Sequence, residues 1–252
     1  AFAAGYQSAL RRLFPFLPIE KVTSFCVTEA GGGHPRAIQC QLIQDDDQWL
    51  IHGEKTFVTS ANEAEILIVT ASQGIDEAGQ NHIRVIQIPR NAEGVTIETL
   101  PDMPFVPEIS HGKVILDHCP ISSKQLLAGD GYLNYIKPFR TVEDLHVFGG
   151  ILGYLFRVAT LHQLDTRLRE DILACIVTAH HLAGMFASKT PVHLALAGFI
   201  RQFRALILAF EFHLAQVDDE TRSRWMRDKQ LFTIAESVRE KRRESAWEKV
   251  NA

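Results

Sequence analysis

Near Pro138 the hydrophobic pattern of the chain changes period, and that change limits the folds open to it more than any other feature. Between about Thr23 and Pro120 apolar residues alternate with polar ones. The runs SFCVTEA, RAIQCQLIQ, QWLIHGEKTFVTS, AEILIVTAS, IRVIQIPR, GVTIETL and GKVILDHCP are short and rich in Val, Ile, Thr and Phe. Turn signals such as GGGHP, DDDQ, QGIDEAGQN and RNAEG separate them. Strands at this spacing, with no helical pattern between them, predict an antiparallel β-barrel or sandwich. After Pro138 four long runs repeat apolar residues at i, i+3, i+4 and i+7, broken at SKTP and VDDETRS, which supply capping residues. Four such helices with short connections predict an up-down four-helix bundle. The fold class is α+β: a segment 1–20 with one short helix (YQSALRRLF) ending before Pro15, a β domain over 21–122, and a helical bundle over 123–252.

Composition narrows the partners. The 252 residues carry a net charge of −4, which gives nucleic acid or an anionic membrane no electrostatic reason to bind. Cys26, Cys40, Cys119 and Cys175 are far apart and form no C-x-x-C pair, so neither a zinc site nor a disulfide framework is expected; free thiols suit a cytoplasmic location. The start of the chain has no long apolar h-region and reads as no signal peptide, and apolar runs such as Ile66-Leu67-Ile68-Val69 are too short to span a membrane. His180-His181 adjoin rather than stand at i, i+4, so they read as helix-face residues, not metal ligands. The Asp45-Asp46-Asp47 run reads as a solvated hairpin turn, and REKRRE (239–244) as an exposed helix with i,i+4 ion pairs.

Gly31-Gly32-Gly33 allows two readings. Glycines in a turn let successive N–H groups form a concave nest for phosphate, and they also serve as a plain connection between strands. The neighbouring motifs bear on the choice. CVTEAGGGH followed by GEKTFVTSANEAEILIV resembles the paired middle-domain motifs of the acyl-CoA dehydrogenases, C-x-T-E-P-x-A-G-S-D and G-x-K-x-W-I-T-N-A. The matches are Cys26, Thr28, Glu29 and Gly33, then Gly53, Lys55, Thr59, Ala61 and Ala64. VILDHCPISSKQLLAGDGY is similar to that family's closing strand segment, and the resemblance runs from about Phe25 to Gly153. It departs from the pattern at Ala30, His34, Pro35, Phe57 and Ser60, where the family has Pro, Ser, Asp, Trp and Asn.

The resemblance implies a flavin site holding FAD. Phe25, Val27 and Thr28 would meet the flavin edge, Gly33 and His34 the pyrophosphate, and Phe57 and Thr59 the ring. It implies an N-terminal helical domain reduced to a helix around Gln7 to Phe14, with the acyl pocket open or covered by a partner subunit. It also implies an acyl-CoA-like substrate, a carboxylate that removes the α-proton, transfer of the β-hydride to flavin N5, a homo-oligomer (dimer or tetramer), and an electron-transfer acceptor protein. EDLHVFGGILG aligns with the run that carries the base in isovaleryl and long-chain members, which puts Glu143 on the base position. The residues alone allow another reading, in which Thr141 is an N-cap, Asp144 stands at N3, and Glu143 is an ordinary helix-start acid. WMRDKQLFTIAESVR is similar to a late helix of the family that packs at subunit interfaces. The alternative function is a catalytically inactive homologue acting as a subunit or binding protein.

Overall fold

The computed structural model describes residues 1–45 and 48–252; Asp46 and Asp47, the centre of the expected acidic hairpin turn, lie outside the described residues. Two compact units divide the chain. One contains 10–103 and 107–138, the other 1–9, 104–106 and 139–252.

The β unit is one seven-stranded sheet: β1 (Thr23–Cys26), β2 (Gln41–Asp45), β3 (Gln48–Thr59), β4 (Ile66–Ile75), β5 (Asn81–Pro89), β6 (Val95–Thr99) and β7 (His111–Ile121). Its order is β1-β4-β2-β3-β7-β6, with β5 on the other edge of β4. The strands occur where alternation predicts them, but the sheet is mixed rather than antiparallel throughout. β1 runs parallel to β4 from Thr23↔Ile66 to Cys26↔Val69, and β2 joins β4 in parallel at Gln41↔Ser72. These pairings join segments far apart in sequence, which no local pattern encodes. Inward residues including Leu67, Val69, Ile86, Ile88, Val114 and Leu116 form the core of this unit. Phe14 packs edge to face on Phe25, with ring centroids 5.2 Å apart, and stacks on Tyr135.

The helical unit holds the start of α1 (Phe2–Leu13), most of α2 (Lys137–Leu161), and α3 (Thr166–Ala183), α4 (Thr190–Phe212), α5 (Asp219–Asp228) and α6 (Glu236–Asn251). Asp165 caps α3 by accepting from the N–H groups of Arg167 and Leu168, and Asp218 caps α5 by accepting from Thr221. α4 begins without a side-chain cap, with Pro191 in its first turn. The fourth predicted helix is two helices. Ala235 takes the left-handed conformation (φ 61°) between a 3-10 turn over Lys229–Thr233 and α6. α4 is long and apolar enough to cross a membrane by length and composition, although no short uninterrupted apolar run in the chain is. Its apolar stripe (Leu196, Phe199, Phe203, Phe210) is buried in the helical core against Phe148 and Trp225, the environment of a core helix. Asp228, in the late R-D pair, accepts from the Val106 N–H at 2.7 Å.

Candidate functional site

The two sequence motifs meet through backbone bonds. The Thr56 N–H donates to the Thr28 carbonyl at 2.8 Å, and the Ser24 hydroxyl donates to the Thr59 carbonyl at 2.7 Å. These bonds hold the segment 25–28 beside the segment 56–59. They bring Phe25, Val27, Thr28, Phe57 and Thr59 into one neighbourhood, with Gly33 and His34 beyond the turn that follows. Val27, Thr28 and Thr59 are half-buried. The Phe25 ring is buried against Phe14, so its side chain belongs to the core.

Phe57 is the unusual member. The β3–β7 register slips between Lys55↔Val114 and Val58↔Gly112, giving β3 one extra residue. Within this bulge Phe57 adopts φ 52° and leaves its ring 59% exposed. A left-handed aromatic residue is strained, and an exposed ring forgoes burial. Both penalties fall at one position.

The glycine loop is a tight turn. Glu29 and Gly32 exchange backbone hydrogen bonds (Glu29 N to Gly32 O 3.2 Å, Gly32 N to Glu29 O 2.8 Å), and Gly32 has φ 99°. His34 then caps a 3-10 turn over Pro35–Ala37, its Nδ1 accepting from the Arg36 N–H at 3.3 Å. An Nδ1 that accepts leaves the proton of a neutral imidazole on Nε2. Among the described residues, the backbone N–H groups of Gly33 and His34 donate to no protein acceptor.

Beneath these residues lies an ion pair that the motifs contain but that sequence reasoning did not interpret. Lys55 Nζ stands 2.6 Å from Glu29 Oε1, with Lys55 fully buried. Lys55 also donates to the Thr70 hydroxyl, while Glu29 accepts from the N–H groups of Gln39 and Cys40. The visible signal was a lysine in an inward slot of β3, on the side of Ile51 and Val58. Gly53, also a matched motif position, passes so close to Cys40 that a Cβ there would sit 2.7 Å from its Cα. Burial pushes the Cys26 thiol up to about 12 and the Cys40 thiol up to about 11, against the pull of the nearby Lys55 charge. All four cysteines are free and buried, as expected of inert thiols.

Glu143 lies in the helical unit, on α2. The helix begins at Lys137, so Thr141 is no N-cap; it is buried within the helix, and its hydroxyl accepts from Arg242 at 2.9 Å. Asp144 is not a helix-start acid either. Arg239 (2.8 Å) and Arg242 of α6 hold it, and the Arg239 guanidinium lies over the Phe148 ring. REKRRE is therefore only partly an exposed face, since Arg239 and Arg242 turn inward to this acid while Arg243 pairs with Glu240. The Glu143 carboxyl makes no hydrogen bond among the described residues. Burial, then the neighbouring Asp144, push its carboxyl up to about 7 against the opposing pull of Arg140 and Arg239.

Comparisons with known proteins agree with this picture. The family model "Acyl-CoA dehydrogenase, middle domain" matches residues 24–119. A probable acyl-CoA dehydrogenase of Bacillus subtilis, YngJ, is 30% identical over 105 residues, which is 41% of this chain and 28% of the relative's own length. The solved butyryl-CoA dehydrogenase of Megasphaera elsdenii shares the fold with a TM-score of 0.71 at 15% identity, covering 98% of this chain and 76% of that one. A glutaryl-CoA dehydrogenase from Mycobacterium smegmatis, solved in complex with FADH2, has a TM-score of 0.63 at 15% identity over 92% of this chain and 69% of its own. The family-model match lies on the β unit and covers less than half of the chain, so this unit resembles the middle domain of the acyl-CoA dehydrogenases, while the likeness that continues through the helices is one of fold.

Proposed function

We propose that the chain is a flavin-dependent oxidoreductase acting on a CH–CH bond of an acyl-CoA-like thioester, with FAD as its cofactor. The observation that carries this reading is the display of Phe57, strained and exposed beside Thr28 and Thr59. A flat apolar ligand packing on the ring would offset both penalties. The residues fit FAD. Phe57 and Thr59 would take the ring system, with Val27, Thr28 and the Phe25 backbone at its edge. The free N–H groups of Gly33 and His34 suit phosphate oxygens, and the His34 Nε2–H supplies a donor where the family motif has a serine hydroxyl. Bound there, FAD supplies a hydride acceptor.

The chain's own contribution to the chemistry is proton transfer. Glu143, with its carboxyl raised to about 7, is suited to accept the α-proton of a thioester near neutral pH, because a base works best with its pKa close to the working pH. Asp144 stays bound to two arginines and leaves Glu143 as the member of the pair free to move a proton. A cytoplasmic location, a homo-oligomer and an electron-accepting partner protein belong to the same proposal.

Absorbance of the purified protein near flavin wavelengths tests the cofactor. Uptake of FAD, followed by anaerobic bleaching with acyl-CoA, is expected. A protein that stays colourless in excess FAD overturns the reading in favour of an inactive subunit or binding protein. Flavin uptake without bleaching by acyl-CoAs of any chain length overturns the substrate assignment alone.

A further inference from the structure

We propose that His52, Asp117 and His118 form a binding site for a divalent transition ion of the Zn2+ class, on the exposed face of the β3–β7 pair. The site arises from a second break in register. Ile51 pairs with Cys119 and Gly53 with Leu116, so His52 alone stands opposite both Asp117 and His118. Consecutive residues of a regular strand point to opposite faces. Here the extra residue, with His118 at φ 47°, leaves Asp117 and His118 both exposed between buried Leu116 and Cys119. The Asp117 N–H donates to the Gly94 carbonyl at 2.8 Å, which ties the bulge to the chain just before β6.

Three donor groups converge as a result. Asp117 Oδ1 lies 2.8 Å from His118 Nδ1 and 3.5 Å from His52 Nδ1, and the two imidazoles stack with centroids 4.2 Å apart. One ligand atom from each residue falls within 4.8 Å of the other two. Two imidazoles and one carboxylate form a borderline donor set, suited to Zn2+, Co2+, Ni2+ or Cu2+; Mg2+ and Ca2+ prefer oxygen ligands throughout. Three protein ligands leave a coordination position for water. The ligands come from two strands, so a bound ion cross-links β3 to β7. The site is separate from the residues assigned to flavin, and its occupancy is independent of that reading.

The test uses the full chain without a histidine tag. Titration with Co2+ is expected to develop ligand-field absorption that saturates at one equivalent, is displaced by Zn2+, and is unaffected by excess Mg2+ or Ca2+. Zn2+ should also raise the thermal midpoint. His52→Asn and His118→Asn should each abolish the Co2+ spectrum while leaving the circular dichroism intact, Asn being well tolerated at the positive φ of residue 118. The His180→Asn/His181→Asn double variant, altered at the other clustered histidines, should keep the spectrum. Failure to bind Co2+, displacement of Co2+ by Ca2+, or undiminished binding in the His52→Asn/His118→Asn variant would each overturn the proposal.

Discussion

Lys55 Nζ lies 2.6 Å from Glu29 Oε1 inside the β unit, joining the second motif to the first where water does not reach. The pair gives Glu29 and Lys55 of the two motifs a structural role, fastening the glycine turn to β3 beneath the displayed face. Breaking one half of a buried pair strands the other charge. Lys55→Met is therefore expected to destabilise the β unit by about 3–5 kcal/mol, and urea denaturation measures it. The Glu29→Gln/Lys55→Met double variant should recover part of that loss, because no buried charge is left alone. A Lys55→Met protein with wild-type stability would contradict the assignment.

Phe57 carries the opposite kind of prediction, a change that helps folding and harms binding. Asn accepts φ 52° more readily than Phe does and has no exposed ring to solvate. Phe57→Asn should match or exceed the wild type in unfolding free energy, by up to about 1–3 kcal/mol if the strain is fully released. The same variant should lose FAD uptake, and Phe57→Trp should retain it. Reduced stability together with undiminished flavin binding would show that the ring belongs to the protein's own packing.

Much of this could be read from the sequence because it is local. Alternation located all seven strands, and Asp218 is the cap that VDDETRS suggested. What escaped was non-local or ran against residue preference. The parallel pairing of β1 with β4 unites Thr23 with Ile66, and nothing in either segment names the other. Ala235 breaks a helical run although alanine is the best helix former, and α6 starts afresh after it, with Arg239 and Arg242 on Asp144. Thr141 reads as a cap from its local sequence, which does not reveal that the helix already begins at Lys137. The motif residues of the candidate site were legible as a group, whereas the exposure of Phe57 and the burial of Lys55 depend on a bulge that the alternating pattern does not reveal.

Asp144 should fasten α6 to the helical core. Asp144→Asn removes the charge that Arg239 and Arg242 share, and a loss of about 3 kcal/mol follows from leaving two largely buried guanidinium groups without their acceptor. Limited proteolysis should then cut early in the segment around Ala235 that leads into α6. The wild type should resist cleavage there until it unfolds globally. Equal protease resistance in the two proteins would mean that other contacts hold the helix.

Glu143 couples stability to pH with a definite sign. Its carboxyl stands near 7 in the folded chain against an ordinary value of 4.5, so folding favours the protonated form. The stabilisation from that proton is complete below about 4.5 and is lost as pH rises through about 7. Glu143→Gln keeps the neutral shape at every pH. The variant should equal the wild type near pH 4.5 and exceed it by about 3 kcal/mol at pH 8. Denaturation curves across this range measure the difference. If Glu143 is the base, reduction of bound FAD by acyl-CoA should rise as pH passes about 7 in the wild type and be absent in Glu143→Gln. Asp144→Asn supplies the cross-check. Removing the adjacent like charge lets the Glu143 carboxyl titrate lower, so the rise in activity should shift to lower pH in whatever fraction of that variant remains folded. A rise at unchanged pH in Asp144→Asn would separate the activity profile from Glu143, and full activity in Glu143→Gln would remove it as the base.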